Sequence, residues 1–405
     1  MKTWPSKFIR GAAALLPFWG QPRQNHQLGS IPMKSTLLSL ISAAFLSGNS
    51  GFAQTASVAA NQNVPAPTAF SPVSRDGNST VWERTVYERG PNGTVVPRKS
   101  RVTELCTGLN YRDQNTSQWT PSREQIDLLP PGGAFAATAT LGQHQAWFPL
   151  DIARGIIQLS TPDGKQLESR PVGLFLEDDS NSVLIAFLTN SVGELVGSNQ
   201  VVYPDAFEGA AASLRYTYTK AGFEQDVLVQ GQLADPAALG LNPARTRLGV
   251  LTAFFDTNNP VATPGLVDAV DGLSDSTLTF GSMRMGQGRA FSIGDTGPLA
   301  PPFGGTPAAW MNWITNAAQQ SSSKGTPSYK RWFQLNGRNF LTEEVPYRRV
   351  AAQLQQLPPA TGRLNDVSTN LLAANSFLDA IPARLLSPPA SGEAFKTQTM
   401  RLSRV

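Results

Sequence analysis

The chain has 405 residues, 40% of them hydrophobic, 9% aromatic and 15% charged, with a formal net charge of +4; that is enough apolar material to fill folded cores and excludes a disordered chain. Five of the 33 basic residues (Lys2, Lys7, Arg10, Arg23, Lys34) precede Gln54 and no acidic residue does, which leaves 28 basic against 29 acidic groups beyond that point. So even a balance gives no steering toward a phosphate backbone, and no nucleic-acid partner is expected.

The first element predicted is a leader. Met33-Lys34, the apolar run from Leu37 to Leu46 and the small-residue close Gly51-Phe52-Ala53 follow the order of a secretory signal peptide. Residues 1–53 are therefore expected to be a leader with its signal peptide at 33–53, cut after Ala53, and 1–32 an over-extended start. The address this implies is secreted or cell-envelope. No other run reaches the roughly 20 apolar residues of a spanning helix, so no membrane-spanning segment is expected in the mature chain. Residues 54–80, rich in Pro, Ala, Ser and Asn, read as a flexible linker.

From 81 to 256 the pattern is that of short strands and turns. Trp82 to Tyr87 and Thr94 to Val96 flank Gly90-Pro91-Asn92-Gly93 as a hairpin. A strand is predicted from Arg101 to Cys106, and the lone Cys106, which can form no internal disulfide, is expected as a small buried side chain in it. Thr161-Pro162-Asp163-Gly164-Lys165 marks a tight turn. Val183 to Leu188 shows almost no alternation and is expected to be covered on both faces. The acidic turn Glu177 to Asn181 lacks the regular ligand spacing of a calcium loop. Leu214, Tyr216 and Tyr218 alternate with Arg215 and Thr217, and Val227 and Val229 bracket Leu228 after the Lys220-Ala221-Gly222 break. An aromatic face of this kind needs a cover. With no helix after each strand, the fold class expected is mainly β, an antiparallel β-sandwich over 81–256.

Residues 257–358 are predicted to be a smaller α+β extension, and 359–405 a tail. Leu278 to Met285 and Arg289 to Ile293 read as a hairpin across Gly286-Gln287-Gly288. Thr306-Pro307 offers a helix start, and Trp310, Trp313, Ile314 and Ala317 recur at helical spacing, predicting a helix over 307–320. Asn336-Gly337 is a hairpin turn, and a short helix from Tyr347 stops at Pro358-Pro359.

Beyond Gln54 the only histidine is His144, which excludes a multi-histidine zinc site, and it is expected to sit structurally against an aromatic neighbour. No nucleophile elbow, phosphate loop or His-Glu-x-x-His is present, so no catalytic residue, cofactor or metal is assigned. Two sets of candidates stay open. Trp310, Trp313 and Trp332 would stack a sugar if exposed, or fill a core if buried. Two of Asp205, Glu208, Glu224 and Asp226 would supply the carboxylate pair of a glycoside hydrolase, while Glu224 and Asp226 read equally as edge charges that discourage aggregation.

The stretches Tyr203-Pro204-Asp205-Ala206-Phe207, Arg215-Tyr216-Thr217-Tyr218, Gly222-Phe223-Glu224-Gln225-Asp226 and Gly240-Leu241-Asn242-Pro243 resemble the amino-terminal β-rich region of large exported proteins of verrucomicrobial type. A more distant likeness is to the segment preceding the shell of Rhs and YD-repeat proteins. The resemblance covers about 81–358 and implies no catalytic residue; the chain differs in having no tyrosine-aspartate repeat series and no toxin-like tail after Leu357. The function expected is a non-catalytic exported β-scaffold or adhesion module at the cell envelope, with other envelope or extracellular modules, or glycans, as partners. The alternative is a carbohydrate-binding module or a glycoside hydrolase.

Overall fold

The alternation of Leu214, Tyr216 and Tyr218 with Arg215 and Thr217 resolves into the strand Ala212–Tyr218, paired antiparallel with Gly222–Val229. Tyr216 lies opposite Gln225 and Tyr218 opposite Phe223. Directly opposed residues share a face and neighbours alternate, so Leu214, Tyr216, Tyr218, Phe223 and Val227 form one apolar surface, and all five are buried.

This computed structural model describes residues 12–16, 18–20, 64–268, 270–293, 325–359, 381–388 and 401–403, with 12–16, 18–20, 266, 293 and 401–403 as backbone only. These residues are mainly β, with one short α-helix, Tyr347–Gln355. The chain divides into two compact units. The smaller takes in described residues 64–74 and Thr80–Glu104, and carries most of a three-stranded sheet in the order Ser71–Arg75, Ser79–Arg89, Val95–Leu105. Glu83 ties the last two of these strands together, accepting Lys99 at 2.6 Å and Arg101 at 2.7 Å.

The larger unit contains the described residues within Met1–Pro22, Arg75–Ser79 and the described residues from Leu105 onward, and has two large sheets. One runs Val261–Asp268, Leu273–Phe280, Met283–Met285, Phe18–Gly20, Gly222–Val229, Ala212–Tyr218, Gln200–Tyr203, Glu194–Val196, Arg401–Ser403, and Ala12–Leu16 also pairs with Gly222–Val229. The other runs Tyr329–Leu335, Arg338–Pro346, Arg247–Phe255, Gln166–Glu177, Ile157–Ser160, Gln145–Phe148, Ala137–Ala139, Asp127–Leu128. Neighbours along both paths are antiparallel except Glu194–Val196 with Arg401–Ser403. Strands from 257–358, the stretch read as a smaller α+β extension, contribute to both sheets.

Tyrosines hold the two sheets together. Tyr203, Tyr216 and Tyr218 are fully buried on the first sheet, where Tyr216 stacks on Phe223 at 5.7 Å and meets Tyr203 edge-on at 6.0 Å. Each hydroxyl has a partner: Tyr203 donates to the Pro149 carbonyl at 2.7 Å, Tyr218 to the His144 carbonyl at 2.8 Å, and Tyr216 to Gln225 Oε1 at 3.1 Å. Satisfying these groups matters because a buried, unpaired hydroxyl costs about 1–3 kcal/mol. His144 lies 4.8 Å from the Tyr218 ring, and burial pushes its imidazole down to about 4, against a smaller opposing effect from the Gly222 backbone. It is therefore neutral near pH 7.

Two local expectations change. The strand ends at Leu105, leaving Cys106 half-buried just beyond it. Met283–Met285 turns back on Leu273–Phe280 through Gly281, whose positive φ of 57° suits a tight reversal, while Arg289–Ile293 pairs with Ala12–Leu16 and Thr326–Pro327. The earlier turn wins because it lets Leu278 and Met285 pair and both are buried. Asn336-Gly337 forms its hairpin with φ of 51° and 76°, the double-positive pattern of a two-residue loop. The helix predicted over 307–320, with Trp310 and Trp313, lies outside the described residues.

Candidate functional site

A groove of about 520 Å³ opens on the larger unit where three separate segments meet. Its first wall is a two-stranded ribbon, Asn110–Arg112 with Trp119–Pro121, in which Arg112 is directly opposite Trp119. The connecting loop is set by Asp113, whose Oδ1 accepts the backbone N–H groups of Asn115 at 3.0 Å and Thr116 at 2.8 Å and the Thr116 hydroxyl at 3.0 Å. Those bonds, the Thr116 backbone first, hold the Asp113 carboxyl below its ordinary value. An Asp that closes its own loop in this way is occupied as a cap.

The second wall is the turn from Asp76 to Ser79. Asn110 is buried under it and donates its side-chain amide to the Asp76 carbonyl at 2.8 Å and the Ser79 carbonyl at 3.0 Å. Gln143 brings in the third segment, donating Nε2 to the carbonyls of Gly77 and Asn110, both at 2.7 Å. A side chain at Gly77 would come within 2.7 Å of the Gln143 amide, and the Trp119 ring packs over the same position at 3.5 Å. Trp119 is thus seated on one edge yet remains 37% exposed. Tyr111, Gln145, Asn78 and Thr161 also line the groove. One exposed flat ring among neutral amides and hydroxyls suits a ligand with many hydroxyls and an apolar sugar face.

A second groove, of about 420 Å³, lies along Tyr329–Leu335 and is lined by Glu177, Arg247, Tyr329, Arg331, Trp332 and Glu344. Arg247 joins Glu177 at 2.9 Å and Glu344 at 3.1 Å, and Arg331 reaches the same two carboxylates at 3.4 and 3.3 Å. Desolvation, then the neighbouring Glu177, raises the Glu344 carboxyl above its ordinary value. Both arginines are thus matched to carboxylates, and Arg247 also reaches Asp179 at 3.5 Å. Trp332 has its ring 4.8 Å from Phe254 and 5.5 Å from Phe280, and donates Nε1 to Asn259 at 3.1 Å.

The four carboxylates singled out in the sequence do not converge. Glu224 and Asp226 share a face of Gly222–Val229, as their spacing requires in a strand without a bulge, opposite Thr217 and Arg215. Asp226 is fully buried, and Arg215 binds its Oδ2 through Nε at 2.6 Å. Burial raises its carboxyl to about 6 against that attraction, and burial also raises Glu224. Glu208 belongs to the other sheet, opposite Phe187, and Asp205 is exposed with a φ of 47° beside it in the chain. Neither groove is lined by any of the four.

Sequence reasoning passed over the ribbon and Gln143 as functional residues; the available signal was an isolated tryptophan, Trp119, among polar neighbours. Among the described residues no group of three His, Cys, Asp or Glu side chains is placed to hold a metal ion, and no helix is long and apolar enough to cross a membrane. Comparison with protein-family models, with curated proteins and with solved structures finds no match.

Proposed function

We propose that this chain is a non-catalytic exported β-sandwich module that binds a saccharide in the Trp119 groove, and so serves adhesion at the cell envelope. The observation that carries the reading is a half-exposed indole fixed in a groove of about 520 Å³ whose lining is dominated by neutral polar groups. Sugar rings stack their C–H faces on such an indole and spend their hydroxyls on amides. The test is a glycan-array screen of residues 54–405, followed by calorimetry on the hits. Micromolar binding that Trp119→Ala abolishes supports the reading, and binding indifferent to Trp119 overturns it.

Export follows from the Met33 to Ala53 pattern and predicts Gln54 as the first residue of secreted material. Recovering Met1 or Met33 at the amino end would remove it. Cleavage there takes away Ala12–Leu16 and Phe18–Gly20, both paired with Gly222–Val229, so the mature chain has that edge to cover in another way.

A hydrolase reading draws on one observation, the shared face and raised carboxyl groups of Glu224 and Asp226. The Arg215 ion pair engages Asp226 and weighs for the binding module. Turnover of a glycan hit that disappears with Glu224→Ala would reverse that choice.

A further inference from the structure

The Trp119 groove holds one guanidinium, that of Arg112, with no carboxylate in contact with it among the described residues. We infer that its ligand is an acidic saccharide, a uronate-containing chain whose carboxylate is received by Arg112 while a sugar ring stacks on Trp119; this rests on the saccharide-binding reading above. Arg112 and Trp119 are direct cross-strand partners in the ribbon, so both side chains leave the same face, and both line the groove. The charged residues lining it are Arg112 and Asp113. Asp113 is occupied by three donors from its own loop. Arg112 donates Nε to the Ser117 carbonyl at 3.3 Å, which steadies its stem, and among the described residues it makes no ion pair with a carboxylate.

That contrasts with the second groove, where Arg247 and Arg331 are both matched to glutamates. A guanidinium presents planar paired donors that fit a carboxylate, and a flat ring beside it fixes the sugar bearing that carboxylate. Position and charge together select a hexuronate over its neutral counterpart.

The experiment compares an oligogalacturonate with the same oligomer fully methyl-esterified, by calorimetry on residues 54–405 and on the full chain, using the native protein, Arg112→Gln and Trp119→Ala. The acid form should bind roughly tenfold more tightly than the ester, the value of one charge-assisted hydrogen bond. Added salt should narrow the difference. Arg112→Gln should erase it. Equal affinities for acid and ester in the native protein, or a preference that survives Arg112→Gln, overturns the inference. If Trp119→Ala still abolishes binding in that case, the saccharide reading stands and only the charge selection falls; if neither oligomer binds while the array shows a neutral hit, the inference is likewise overturned.

Discussion

The Trp119 groove and the charge cluster around Lys330 are both polar, and their surroundings are opposite. In the groove, amides, hydroxyls and an indole face open space, and Arg112 has no acidic partner among the described residues. Around Lys330, ionisable groups are sealed in. Its ammonium is fully buried and joins Asp275 at 2.8 and 3.1 Å, linking a strand of one large sheet to a strand of the other. Glu343 lies opposite Lys330 in the adjoining strand and is also buried. Buried charges persist only when matched, so the Lys330 cluster belongs to the fold, whereas an exposed guanidinium such as that of Arg112 can go without a counter-ion at little cost because water solvates it.

The largest expected effect breaks the matched side. Lys330→Met removes the cation and leaves Asp275 and Glu343 buried together, which should destabilise the protein by about 3–5 kcal/mol in urea unfolding. An effect under about 1 kcal/mol would show that the cluster is wet and that the contrast is false.

Glu343 sharpens the same side through pH. Desolvation raises its carboxyl to about 7, opposed by Lys330 and assisted by Asp275. Near pH 4 both folded and unfolded chains hold the proton and stability is undiminished. As pH climbs toward 7 the unfolded chain ionises first, and stability falls by about 3 kcal/mol. Glu343→Gln should remove this slope. His144, pushed down to about 4, acts in the other direction, with stability lost as pH falls from its ordinary value of 6.5 toward 4. Because both proteins retain His144, the difference between their pH–stability curves isolates Glu343; parallel curves would place its titration elsewhere.

A smaller effect tests the neutral buried network. Tyr218→Phe keeps the ring and deletes the hydroxyl that donates to the His144 carbonyl, leaving a buried acceptor short of a partner. The expected loss is about 1 kcal/mol by thermal unfolding, with groove binding retained.

These regions differ in how far the sequence announced them. The tyrosine strand, the Asn336-Gly337 reversal and the helix at Tyr347 were legible because each rests on local rules: alternation, turn chemistry and a proline stop. The shared face of Glu224 and Asp226 was legible for the same reason. Their committed partner was not, since Arg215 meets Asp226 only through strand register. Lys330 and Asp275 are 55 positions apart, and Gln143 reaches Gly77 across 66. No window of sequence contains those pairs, and the groove consists almost entirely of such meetings. The hairpin assigned to Gly286-Gln287-Gly288 failed on a local competition, as Gly281 offered an earlier reversal with better burial.

The smallest stability change should come from Trp119→Ala, and it is the most discriminating. The ring is 37% exposed and rests on the turn at Gly77, so its loss removes some packing but leaves behind no buried unpaired polar group. Substitutions at such positions cost well under the several kcal/mol expected of Lys330→Met, and about 1 kcal/mol is a fair upper value. The hydrogen bonds of Gln143 and Asn110 that shape the groove do not pass through the indole, so the walls should survive. If the ring exists to stack a sugar, affinity should nevertheless fall roughly tenfold or more, as expected when a central aromatic contact is truncated. A variant that melts like the native protein and no longer binds would separate recognition from folding at this site. If the variant instead loses as much stability as Lys330→Met, Trp119 is a support for the turn beneath it, and the distinction between an open groove and a sealed cluster fails.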